Sequence, residues 1–169
     1  MAERISLRDY QRDLAARLKA ADSGRTSSKL AVQAGAEGWL VDLMEAGEVI
    51  PVPPITAVAQ TRPWFKGVAN VRGNLYSVVD FPAFLGGAGV ALGEASRLLL
   101  IAPRYRVGAA LLVDSSLGLR NPEPWQPRQT AQAPAAWQRA EYEDEAGKVW
   151  KELDVAELVK DQNFLTVGS

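Results

Sequence analysis

From Lys29 onward the apolar residues recur at alternate positions in short runs, each closed by glycine or proline, and that cadence constrains the fold more than any other feature. A period of two is the signature of β-strands, and closely spaced short strands favour small barrels or a sandwich. Leu30, Val32 and Ala34 alternate with Ala31 and Gln33; Gly35-Ala36-Glu37-Gly38 turns the chain, and Trp39, Val41 and Leu43 alternate again, which predicts a hairpin. Residues 48–51 predict a third strand, closed by Pro51-Val52-Pro53-Pro54, which cannot continue a ladder inside a sheet. Residues 68–72 and 75–79 predict a second hairpin with Gly73-Asn74 as its turn, glycine taking the positive φ of the first central position. Residues 80–86 predict a short helical turn and 86–94 a Gly-rich loop. Strands are then expected over 97–102 and 107–113, a proline-rich loop over 121–136, and a last hairpin from 137–143 and 148–153. Asp154-Val155-Ala156-Glu157 has the form of a capping box opening a short helix to about Lys160.

Ahead of this β-rich body, Leu7, Tyr10, Leu14 and Leu18 share one helical face. Ser6-Leu7-Arg8-Asp9 offers a cap and Asp22-Ser23-Gly24 a stop, and polar residues 25–28 follow. Two uses fit so thin an apolar stripe: a helix docked on the body, or an arm that docks on a partner. Residues 1–28 are thus expected to be a helical extension with linker, and 29–169 the main domain. Its lobes are expected at roughly 29–85, with help from the C-terminal strands, and 95–153.

The 169 residues contain neither cysteine nor histidine. That excludes disulfides, Cys-ligated zinc, thiolate chemistry, and every nucleophile pair that depends on an imidazole. Nineteen basic against twenty acidic residues leave a net charge of −1, too balanced for a protein that holds nucleic-acid phosphates. The first residues lack an apolar signal core, and the longest apolar stretches, at 98–102 and 107–113, are strand-sized; a bilayer span needs about 20 residues. A cytoplasmic protein is expected, with any membrane association made through a partner and no direct insertion.

No phosphate loop, dinucleotide fingerprint or calcium loop is present, and Gly86-Gly87-Ala88-Gly89 lacks the Lys-Ser/Thr that would make it one. Asp80 and Asp114 stand at strand ends, so a carboxylate hydrolase stays open if either faces a second acid across a cleft. Trp39, Trp64, Trp125, Trp137 and Trp150 would suit a base-stacking surface, but no basic cluster accompanies them, and core packing explains them as well.

The most informative stretch runs from Trp39 to Gly86. Pro63-Trp64-Phe65-Lys66-Gly67-Val68-Ala69-Asn70-Val71-Arg72-Gly73-Asn74-Leu75-Tyr76-Ser77-Val78-Val79-Asp80, with Phe81-Pro82-Ala83-Phe84-Leu85-Gly86 after it, resembles the CheW family of chemosensory coupling proteins. Trp39-Leu40-Val41-Asp42-Leu43 and Glu48-Val49 are similar to that family's upstream strands, and Val107-Gly108-Ala109-Ala110-Leu111-Leu112-Val113-Asp114 to a later one. The resemblance covers about residues 29–160. The N-terminal extension, Trp64-Phe65 and the tail from Trp150 to Leu165 are most similar to the branch that serves type IV pilus twitching.

The resemblance implies a mainly β fold of two packed five-stranded SH3-like barrels with terminal helices. It implies no catalysis, no cofactor and no metal, but an adaptor between a methyl-accepting receptor and a CheA-like histidine kinase, recruited to the inner face of the membrane. Carried over residue by residue, receptor contact points to a groove between lobes with Ala46, Glu48, Asn70, Val71 and Arg72. Arg72 is expected to pair with Glu48 across neighbouring strands, either as part of that contact or as a plain surface ion pair. Kinase contact would use strand edges, with candidates Leu30 and Val32 in one lobe and Leu98, Leu100 and Val113 in the other, each of which could equally be core. Gly67 and Gly73 are expected to serve geometry, the one for close backbone approach and the other for the turn. An adaptor of flagellar chemotaxis is the neighbouring alternative.

Overall fold

A computed structural model of the chain describes residues 11–16, 18, 28–130 and 134–168. Residues 11–16 and 18 are helical, with Leu14 and Leu18 exposed. Leu7, Tyr10, the expected cap at 6–9 and the expected stop at 22–24 lie outside the described residues.

Among the described residues the body holds twelve strands: β1 (Lys29–Ala34), β2 (Glu37–Asp42), β3 (Ala46–Pro51), β4 (Ile55–Thr56), β5 (Phe65–Val71), β6 (Asn74–Asp80), β7 (Arg97–Ile101), β8 (Ala109–Val113), β9 (Ser115–Arg120), β10 (Gln126–Pro127), β11 (Gln138–Glu143) and β12 (Val149–Leu153). They form two sheets of six, ordered β10-β11-β12-β2-β1-β9 and β3-β7-β8-β6-β5-β4. Where five strands per lobe were expected, each sheet carries in addition a two-residue edge strand, β10 in the first and β4 in the second.

The expected lobe boundaries need correction. The second sheet is one continuous stretch of chain, β3 to β8, whereas the first is built from β1–β2 and from β9–β12 after the chain returns. Residues 46–85 therefore belong with β7 and β8 and not with the first hairpin. The expected loop over 121–136 contains β10, and Ser115–Arg120 forms a strand that its serines and Gly118 hide in the sequence. β9 exists because it completes the free edge of β1, pairing Leu30 with Leu119.

The second hairpin is shifted by one residue from expectation. Val71 pairs with Asn74, so the turn is Arg72-Gly73, both with positive φ (51° and 85°). That is the mirror-image turn whose twist suits two antiparallel strands, and its second central position goes to glycine. Asn70 Oδ1 accepts from the Gly73 N–H at 2.9 Å and pins it. Gly67 (φ 133°) is the tighter case, since a Cβ there would collide with the Thr56 carbonyl of β4.

β1, β2, β7 and β8 are buried on both faces, as are the C-terminal ends of β6 and β12. Alternate residues of β7 and β8 split between two cores: Leu99, Ile101, Leu111 and Val113 face the junction of the sheets, with Leu30, Val32, Trp39 and Val41 opposite. Leu98, Leu100, Ala110 and Leu112 fill the interior of the second sheet with Val71 and Val78. Ala31, Leu40 and Trp150 form a smaller third cluster inside the first sheet. After β6 and after β12 an aspartate caps a helical turn: Asp80 for Phe81–Phe84 and Asp154 for Val155–Leu158, each side chain accepting from the N–H three residues on. The C-terminal helix stops short of Lys160, and a separate turn, Gln162–Leu165, sets Phe164 into the junction core.

Candidate functional site

Beside the second hairpin lies a shallow groove of about 200 Å³ lined by Gly47, Glu48, Val71, Arg72, Asn74, Tyr76, Leu100, Ile101 and Pro103. All of these belong to the second sheet and the connection after β7, so the groove is not the expected one between lobes. Its rim is an ion pair. Arg72 Nη1 and Nη2 donate to Glu48 Oε2 and Oε1 at 2.8 and 2.6 Å, a two-pronged contact. Arg72 sits on the turn joining β5 and β6 and Glu48 on β3, with β7 and β8 between that hairpin and β3 in the sheet order. The pair thus spans a sheet curled on itself, not neighbouring strands. Planar fork-to-carboxylate pairing fixes orientation as well as distance.

The electrostatics follow from that contact. The Arg72 hydrogen bonds, with its charge, hold the Glu48 carboxyl below the usual carboxylate range, and Glu48 in turn raises the Arg72 guanidinium. Arg72 is 69% exposed at its side chain and Glu48 41%, so both remain open to a partner. Below the rim, Val71, Tyr76, Leu100 and Ile101 supply an apolar floor.

The five receptor-side candidates divide. Glu48, Val71 and Arg72 line the groove; Asn70 is exposed and bonds back to its own turn; Ala46 pairs with Ile101 and packs towards the junction core. Sequence reasoning missed Tyr76 and Pro103, and assigned Leu100 elsewhere. Asn74 and Tyr76 stand two apart on β6 and so share a face, a signal that period-two reading contains.

The five kinase-side candidates need correction as surface residues. Leu30, Val32, Leu98, Leu100 and Val113 are all buried, the most open of them, Leu30, at 7% exposure. Leu30, Val32 and Val113 fill the junction core, and Leu98 and Leu100 the interior of the second sheet. The physical reason is two-sided burial: in a strand with apolar residues on both faces, alternation cannot distinguish an edge from a core.

The carboxylates considered for hydrolysis hold structure. Asp80 is fully buried; its oxygens accept from the Ala83 and Val90 N–H groups at 3.1 and 2.9 Å, and Lys66 lies 3.6 Å away. Asp114 accepts from the Gly35 N–H at 2.6 Å and lines a groove with Glu37, which is held by Lys151 (2.8 Å) and the Trp39 indole N–H (3.1 Å). Trp39 and Trp150 are core, and Trp125 stacks on Trp150 at 5.6 Å between ring centres. Trp64, Trp137 and Phe164 each contact the Phe84 ring at the junction. Among the described residues no helix is long and apolar enough to cross a membrane.

A strand-built body with a charged clasp over an apolar groove has the form of a binding module, and the comparisons give its family. Residues 29–163 match the family model described as the CheW-like domain, and the chain belongs to that family. Among curated relatives it is 34% identical to Protein PilI of Pseudomonas aeruginosa over 111 residues, which is 65% of this chain. The match spans 62% of the length of that relative. Among solved structures, the scaffolding protein TtCheW from Thermoanaerobacter tengcongensis aligns with a TM-score of 0.62, covering 76% of this chain and 89% of that one at 18% identity. That likeness is one of fold: mainly β, two sheets, CheW-like.

Proposed function

We propose that the chain is a non-enzymatic adaptor coupling a membrane methyl-accepting receptor to a CheA-like histidine kinase, in a chemosensory system that controls type IV pilus twitching. The carrying observation is the Arg72–Glu48 clasp over the groove of β3, β5, β6 and β7, its arginine supplied by the Asn70-Val71-Arg72-Gly73 segment. The relative named PilI supports the pilus branch over the flagellar one. Apolar floor with an oriented charged rim is the chemistry of a helix-docking surface, where a few central contacts dominate affinity. Ala46 and Asn70 support this surface from behind, through β3 pairing and the turn. Kinase contact falls to edge strands, with β9 and its exposed Leu119 in the first sheet and β4 in the second. Recruitment to the inner face of the membrane follows from the receptor.

Calorimetry with a soluble receptor-tip hairpin tests this reading. Arg72→Ala, exposed and on a turn, is expected to keep the circular dichroism and melting of the parent while weakening binding by at least about tenfold. Unchanged affinity in the folded variant rejects the groove as the receptor contact. Parallel pull-downs with pilus and flagellar receptor tips separate the two pathways.

A further inference from the structure

What holds the Glu48 side of the groove comes from the other sheet. Between β2 and β3 the chain crosses sheets through residues 43–45, a tight turn in which Asp42 Oδ1 accepts from the Met44 N–H at 2.8 Å. Glu45 ends the crossing. Its carbonyl accepts from the Ala102 N–H at 3.0 Å, and its carboxylate, 8% exposed, accepts from Arg139 Nη2 of β11 at 2.9 Å. The other carboxylate oxygen, Oε2, is buried with no hydrogen-bond partner. Such a group is costly to bury, and it costs more still if its cation is withdrawn. Arg139 is itself braced, 3.2 Å from Asp154 and 3.5 Å from Glu152.

Immediately after Glu45 the ladder is irregular. Ala46 pairs with Ile101 but Glu48 with Leu100, so Gly47 is a bulge. A Cβ on Gly47 would lie 3.2 Å from the Leu100 carbonyl and 3.3 Å from Ala102 Cα. Bulges re-aim the side chain beside them, and here that side chain is Glu48. Little slack separates the anchored Glu45 from the carboxylate that grips Arg72.

We propose that Arg139 and Glu45 are positioning residues for the groove: their tie between sheets, buried at its Glu45 end, sets the bulged start of β3, and with it the reach of Glu48 to Arg72. The binding arm of the test rests on the adaptor reading above; the spectroscopic arm does not.

The experiment compares parent, Glu48→Gln, Arg139→Met and Arg139→Lys by NMR of the Arg72 guanidinium and by affinity for the receptor-tip hairpin. Folded Arg139→Met is expected to move the Arg72 signals towards their position in Glu48→Gln and to weaken binding by about tenfold, with partial recovery of both in Arg139→Lys. Should Arg139→Met not fold, Arg139→Met/Glu45→Met, which removes the stranded carboxylate with its cation, is read in its place and is expected to show the same displaced signals. Arg72 signals unmoved in either folded variant overturn the proposal. Displaced signals with unchanged affinity uphold the positioning and reject the receptor role of the groove.

Discussion

The two sheets share one layout and fill it differently. Each runs edge strand, hairpin, parallel partner, then two antiparallel strands: β9-β1-β2-β12-β11-β10 in the first and β4-β5-β6-β8-β7-β3 in the second, with β2–β12 and β6–β8 as the parallel pairs. Inside the second sheet lie aliphatic side chains, Leu98, Leu100, Leu112, Val71 and Val78. Inside the first, Trp150 is followed two residues on, hence on the same face, by buried Glu152. Glu152 is gripped by Lys29 at 2.8 Å, lies 3.5 Å from Arg139, and accepts from the Tyr142 hydroxyl at 3.3 Å. The second half buries Asp80 against backbone N–H groups and holds its Arg72–Glu48 pair at the rim of a groove; the first commits a carboxylate together with its cations to its interior. Equivalent backbones therefore do not imply equivalent surfaces.

Substitutions on each side should break this contrast in opposite ways. Leu112→Ala opens a cavity in the aliphatic interior and is expected to cost about 4 kcal/mol in urea unfolding; a much smaller loss would mean that the second sheet is loosely filled. Glu152→Ala takes the nearest carboxylate from largely buried Lys29, leaving it only Asp42 at 3.5 Å, and is expected to cost about 3 kcal/mol, much of it recovered when Lys29→Met is added. Leu112→Ala, lacking those partners, should show no such recovery with Lys29→Met. A strictly additive Glu152–Lys29 cycle would dissolve the distinction between the halves.

The smallest effects are those of pH, and they run in opposite directions. Burial works to lower the Lys29 pKa, but its hydrogen bond to Glu152 and the charges of Glu152 and Asp42 outweigh it, and the net value is raised. A raised folded value means that its contribution is complete below the unfolded lysine value and is lost as pH rises through the folded one. Glu48 is depressed, so its contribution is present above the unfolded carboxylate value and fades as pH falls through the lower folded one. NMR titration of the Lys29 and Arg72 side-chain signals should show alkaline loss at the first and acid loss at the second. Loss of both on the same side of neutrality would contradict the assignment.

Much of this contrast was hidden from the sequence. The hairpins β1–β2, β5–β6 and β11–β12 and the capped turns after Asp80 and Asp154 are legible because their determinants are local: alternation, turn glycines, a capping oxygen. The Arg72–Glu48 pair is legible only through the resemblance, since 24 positions separate the partners. Arg139 and Glu45, 94 positions apart, left no signal, because what joins them is the return of the chain to a sheet it had left. β9 stayed hidden for a related reason, being a strand by virtue of the edge it covers. The candidate kinase contacts went into the core because alternation reports which residues share a face and not what that face meets.

That return has a kinetic consequence. All six strands of the second sheet are consecutive in the chain, so it can collapse as soon as β8 has been synthesised, while β1 and β2 must wait for β9 and β12. Long-separated pairings form slowly and leave unpaired edges exposed in the meantime. The first hairpin is thus a stretch of the nascent chain in need of shelter, and truncation before β9 should leave one sheet assembled beside an orphaned hairpin.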